Sequence, residues 1–158
     1  WWGINTKYSS NLQFGSSFDN ESVIIDLDKS KEAPWNTFGF SPYQWMRVDL
    51  SSIYSTSALT FKLKAAELPK LQAILLAYTG KKRRLHKILN ESHFIDRGNG
   101  VYEAYLPLKS LMGYSEFRWD ALKEIRFKIL EGNQLEIGDF QLIEFRGNPQ
   151  KPTEWKGI

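Results

Sequence analysis

Ile125-Arg126-Phe127-Lys128-Ile129-Leu130, followed by Glu131-Gly132-Asn133 and then by Leu135 to Phe145, is the stretch whose reading decides the fold. Ile125, Phe127 and Ile129 fall at alternate positions, and Arg126 and Lys128 take the opposite phase. That is the period of a strand with one dry face and one wet face. Gly132 and Asn133 tolerate positive φ at little cost, so the spacing predicts a closing antiparallel hairpin. The second strand alternates through Leu135 and Ile137, breaks phase at Gly138-Asp139, and resumes with Phe140 and Leu142. A Gly-Asp pair at a phase break predicts a bulge or a strand end.

The same two-residue period recurs upstream. Leu59, Phe61, Leu63 and Ala65 alternate with Thr60, Lys62 and Lys64, the cleanest such run in the chain. Val23-Ile24-Ile25 within residues 20–28, Trp45 to Leu50 and Val101 to Leu106 read as further strands. Residues 71–79 and 83–89 read as a hairpin about Gly80-Lys81-Lys82. Helix is confined to short turns at Leu108–Met112 and Trp119–Leu122. Eight or nine strands at short, fairly regular spacing predict an all-β, two-sheet antiparallel sandwich, and no internal repeat suggests a propeller. A chain of 158 residues fits one domain. The sandwich is assigned to residues 1–146, with 147–158 as a tail or linker. Opening on Trp1-Trp2 without Met reads as a piece of a longer protein.

Six Trp, seven Tyr and ten Phe are more rings than a core of this size commonly uses. Some are therefore expected at the surface, where a flat amphipathic ring suits a partner with apolar faces and hydroxyls. Net charge is +3, much of it from Lys81-Lys82-Arg83-Arg84. Such a run is a solvated hairpin end or a contact for an anionic polymer. Nucleic acid is disfavoured, since no helix-turn-helix, RNP or zinc-finger pattern is present. With no cysteine, disulfides and thiolate chemistry are excluded. His86 and His93, the only histidines, have no acid at a metal-like spacing. No nucleophile elbow or recognisable glycosidase carboxylate pair appears, so the domain reads as non-catalytic.

Sugar recognition needs ring faces for the C–H side of a pyranose and planar polar groups for its hydroxyls. Trp45 and Arg47 share the wet phase of their strand, with Tyr43 beside them and Lys62 and Lys64 expected nearby. Tyr78, Arg84, His86 and either Tyr102 or Tyr105 are expected to complete that sheet face. The structural alternative for each ring is a rim or core position, and for the lysines a solvated face.

Several segments in order carry a resemblance. They are WMRVDLS (Trp45 to Ser51), the Leu59 to Lys64 strand, YLPL (Tyr105 to Leu108), Trp119 to Ile129, and Ile137 to Leu142. Over roughly residues 12–146 this set resembles carbohydrate-binding modules of the β-jelly-roll, galactose-binding-like type. The likeness is to families four, eleven, seventeen and twenty-two and to the carboxy-terminal domain of some bacterial exoglucanases. It implies a jelly roll that binds neutral or acidic polysaccharide beside a catalytic domain of the same chain, in an extracellular or periplasmic protein, with no membrane partner. The alternative is a structural module that packs on such a domain without binding glycan. The family pattern also implies a structural calcium, for which Asp19, Glu21 and Asp139 are candidates. Gly138 stands where the pattern places a first acid.

Overall fold

The computed structural model describes residues 12–26, 37–41, 46–113 and 116–144. Among them lie eleven strands: β1 (Leu12–Phe14), β2 (Ser22–Asp26), β3 (Thr37–Phe40), β4 (Ser57–Lys64), β5 (Lys70–Tyr78), β6 (Lys82–Leu89), β7 (Phe94–Gly98), β8 (Val101–Pro107), β9 (Met112–Gly113), β10 (Leu122–Glu131) and β11 (Gln134–Glu144). Helix is limited to single 3-10 turns, including the expected ones at Leu108–Ser110 and Trp119–Ala121. The strands form a six-stranded sheet in the order β1-β2-β11-β4-β8-β7 and a five-stranded sheet in the order β3-β10-β5-β6-β9. Every pairing is antiparallel. The molecule is the all-β sandwich its alternation predicted.

The closing stretch is not a hairpin. β10 pairs with β3 and β5, whereas β11 pairs with β2 and β4 in the opposite sheet. Glu131 to Asn133 is an arch from one layer to the other, with Gly132 at φ 118°. In an arch the dry faces of the two strands look at each other across the core. Alternation reports which side of a strand is dry, not which backbone it bonds, so both connections suit the same pattern. The β5–β6 hairpin forms as expected, with Tyr78 opposite Lys82. The phase break at Gly138-Asp139 is a bulge: register with β4 shifts between Gly138 and Gln141, and Asp139 has φ 52°.

The strand expected over Trp45 to Leu50 is corrected. Val48 makes one isolated bridge to Leu122, and Met46 is 62% exposed although it lies off the wet phase of Trp45 and Arg47. Asp49 accepts hydrogen bonds from the backbone and hydroxyl of Ser51, a local turn that ends the extended run. The edge strand on this side is β3, whereas β1 and β9 are too short to show a period. The tail assigned to residues 147–158 lies outside the described residues.

Phe127 of β10 is the centre of the core. Its ring stacks on Phe38 at 5.7 Å and meets Phe61 edge-on at 5.1 Å and Phe140 at 5.6 Å. Phe61 and Phe140 belong to the six-stranded sheet and Phe38 to the five-stranded one, so these rings tie the layers together. Among the described aromatics only Phe14 is exposed. Burying each such ring contributes about 1.5–3 kcal/mol, which draws described rings inward that composition alone assigned to the surface.

Candidate functional site

Both sheets have an outer face, and the two differ in how their charges are matched. On the six-stranded sheet, cations meet partners. Lys62 Nζ lies 2.8 Å from the Asp139 carboxylate, which also accepts from the Asn20 side-chain amide. Arg97 pairs with Glu103 at 3.0 Å, and Lys64 donates to the Ser17 hydroxyl. Glu136 accepts from the Ser22 hydroxyl at 2.6 Å and from the Ser17 backbone at 3.0 Å. Burial opposes ionisation of Asp139 and Glu136, yet these donors outweigh it and hold both carboxyls below their ordinary range. Ala58 and Tyr105 form a second small apolar cluster on this face, with Ile95 and Ile143 against it.

The calcium implied by the family resemblance does not fit. Among the described residues no group of three or more His, Asp or Glu is placed to hold a metal ion. At Asp139 the Lys62 ammonium already stands where a cation would bind.

The outer face of the five-stranded sheet is built by register. β5 turns Leu71, Ala73, Leu75 and Ala77 into the core, which sends Gln72, Ile74, Leu76 and Tyr78 outward. Opposite them on β6 stand Ile88, His86, Arg84 and Lys82. On β10 the matching positions are Lys128, Arg126 and Glu124. His86 is flanked on its other side by Met112 of β9. Ile88 and Met112 are 47% and 67% exposed, large apolar groups left facing solvent. Glu124 is buried and forms an ion pair with Arg126 at 2.6 Å. At the end near the Lys81-Lys82 turn, the half-buried Tyr78 ring has Lys123 Nζ 4.7 Å and the Arg47 guanidinium 5.8 Å from its centroid. Cations are attracted to a ring face by its quadrupole, so this tyrosine gathers positive charge.

Arg47, Tyr78, Arg84 and His86 are thus brought to one face, as the sequence suggested. Tyr43 and Trp45 lie outside the described residues. Tyr102 does not join the group: it is on β8 of the other sheet and packs against the main core. Tyr105, its alternative, is 1% exposed, and burial raises its phenol above the ordinary range. Lys62 and Lys64 occupy the opposite side of the sandwich. The reason is again pairing, because β4 shares its polar phase with β8 and β11, not with β5 and β6. Sequence reasoning missed Ile88, Met112 and Lys123 as members of this face. The alternation of β6 contained a signal for Ile88, since His86 and Ile88 share one phase. Lys123 reaches Tyr78 from a register shift between Leu122 and Glu124 that no pattern announces.

No family model matches the sequence, and no curated protein matches it. Solved structures do. A family 30 carbohydrate-binding module superposes with a TM-score of 0.67 at 13% identity, over 92% of this chain and 80% of that one. The chain has the fold of the family 30 carbohydrate-binding modules. The corresponding module of a cellulosomal cellulase of Clostridium thermocellum gives 0.65 at 12% identity, covering 91% and 90%. An exo-beta-agarase gives 0.56 at 9% identity over 89% of this chain, but only 24% of that longer one. The jelly-roll carbohydrate-binding-module fold implied by the sequence motifs is borne out.

Proposed function

We propose that this chain is a non-catalytic polysaccharide-binding module that takes its ligand across the outer face of the five-stranded sheet. The observation that carries the reading is the exposed apolar pair Ile88 and Met112, flanked on one sheet surface by Tyr78, Arg84, His86 and Lys128. The apolar side chains and the Tyr78 ring suit the C–H faces of sugars, and the cationic donors suit hydroxyl and acidic oxygens. Likeness of fold to carbohydrate-binding modules supports the assignment, although a fold alone does not assign a ligand. An open sheet face leaves one side of the ligand in water, so affinity falls in the micromolar to millimolar range, roughly −4 to −8 kcal/mol.

On this face Glu124 is committed to Arg126 and Glu131 to Lys70, and β5, β6 and β9 add no carboxylate to it. A glycosidase needs two carboxyl groups across one bond, so the site reads as binding only. The partial match to an exo-beta-agarase supports an accessory role beside a catalytic domain.

Affinity electrophoresis against neutral and acidic glycans tests the reading. Retardation by at least one glycan is expected, and Ile88→Asp combined with Met112→Asp lowers it about tenfold, since each change removes apolar contact area. No retardation by any glycan ends the proposal. Unchanged retardation in the variant moves the site elsewhere, and altered association with a neighbouring domain would then mark this face as a docking surface.

A further inference from the structure

We infer that the polysaccharide bound on this face is acidic, bearing sulfate or carboxylate groups along its chain. The inference rests on the proposed polysaccharide-binding function and names the class of its ligand. It follows from the contrast between the two outer faces. On the six-stranded sheet, Lys62 and Arg97 are each matched to a carboxylate and Lys64 donates to the Ser17 hydroxyl. On the five-stranded sheet, Lys70 is matched by Glu131, Arg83 by Glu116 and Arg126 by Glu124, but Lys82, Arg84 and Lys128 have no carboxylate partner among the described residues. Arg47 and Lys123 add their charge at the Tyr78 ring. Among the described residues this face therefore carries more cations than carboxylates.

The spacing suits a polymer better than a single small anion. Arg84 on β6 and Lys128 on β10 lie on either side of β5, two strand spacings across and four residues along the strand, roughly 17 Å apart. Lys82 and Arg84 follow each other along β6, about 7 Å apart at two residues of rise. These cations flank the apolar groups Ile74, Ile88 and Met112 on the same sheet surface. An extended chain can lay C–H faces on these groups while its acidic substituents reach the flanking cations. A nucleic acid strand is the less suitable occupant, because it needs successive ring platforms. Among the described residues this face has only the Tyr78 ring, already attended by two cations, and the His86 imidazole.

The test compares an unsubstituted galactan with a sulfated galactan, and an unsubstituted β-glucan with its carboxymethylated form, at about 50 and about 500 mM NaCl. Each acidic member is expected to bind about tenfold tighter than its neutral parent at the lower salt, with that advantage lost at the higher. Arg84→Gln with Lys128→Gln should remove most of the advantage, whereas Lys109→Gln, outside this face, should keep it. Circular dichroism and thermal unfolding establish that each variant is folded. Binding of neutral and acidic glycans with equal strength overturns the inference and leaves the proposed function standing. Absence of binding to all four overturns both. Equal binding of single-stranded DNA of matched charge overturns the choice of polysaccharide in favour of unselective polyanion attraction.

Discussion

At Asp139 a carboxylate that is 6% exposed sits in the left-handed region of backbone space, at φ 52°. Aspartate and asparagine enter that region more readily than other non-glycine residues, so the bulge suits an Asx residue as well as a charge. Its depressed pKa sets the sign of a pH effect. The stabilisation is fully present above the unfolded carboxyl value of about 3.9 and is lost as pH falls through the lower folded value. Asp139→Asn keeps the backbone preference and removes the charge opposite Lys62. Urea unfolding should show a loss of about 1–2 kcal/mol at neutral pH, shrinking as pH falls below the unfolded carboxyl value and through the lower folded one. A loss that stays constant across that range would mean that the Lys62 pair contributes nothing. The phase break at this pair was visible in the sequence, but Lys62 and Asn20 as its partners were not, because each is brought there by a different strand or loop.

At the scale of the element, Gly138 has a reason that alternation did not reveal. A Cβ there would stand 2.5 Å from the Glu21 carbonyl oxygen and 2.5 Å from Ser22 Cβ, where β11 crosses the start of β2. The atoms in the way are backbone or close to it and cannot swing aside. Gly138→Ala should therefore cost about 1–3 kcal/mol by overpacking, read as a lower urea midpoint with an unchanged slope. Gly80 makes the comparison: it has φ 83° with nothing within 4 Å of a Cβ, so Gly80→Ala adds only backbone strain of about 1 kcal/mol. Equal losses at the two sites would refute the crowding argument. The departure from the family pattern at Gly138 is thus explained by close packing of two strands.

For the whole molecule, the ring cluster about Phe127 decides whether the two sheets unfold together. Phe127 touches Phe38 of its own sheet and Phe61 and Phe140 of the other. Phe127→Ala should cost about 3–5 kcal/mol and lower the stability of both layers at once. Far-ultraviolet dichroism and Trp fluorescence should still report one coincident transition. Separated transitions would mean that the sheets are held independently. The candidate face belongs to this scale too, since it exists only where β10, β5, β6 and β9 lie side by side.

By itself the sequence determined the kind of structure. Alternation at Leu59 to Ala65 and Ile125 to Ile129 specified strands with one dry side, and two such surfaces must close on each other to exclude water. It also placed Arg47, Tyr78, Arg84 and His86 among the solvent-facing groups. Only the tertiary structure decided which strands are neighbours. It turned the final two-strand stretch into an arch, put Tyr102 against the core of one layer and Tyr78 outside the other, and set Lys82, Arg84 and Lys128 on one sheet face. The physical reason is that backbone hydrogen bonds are alike for nearly every residue, so pairing is chosen by the packing of the whole core.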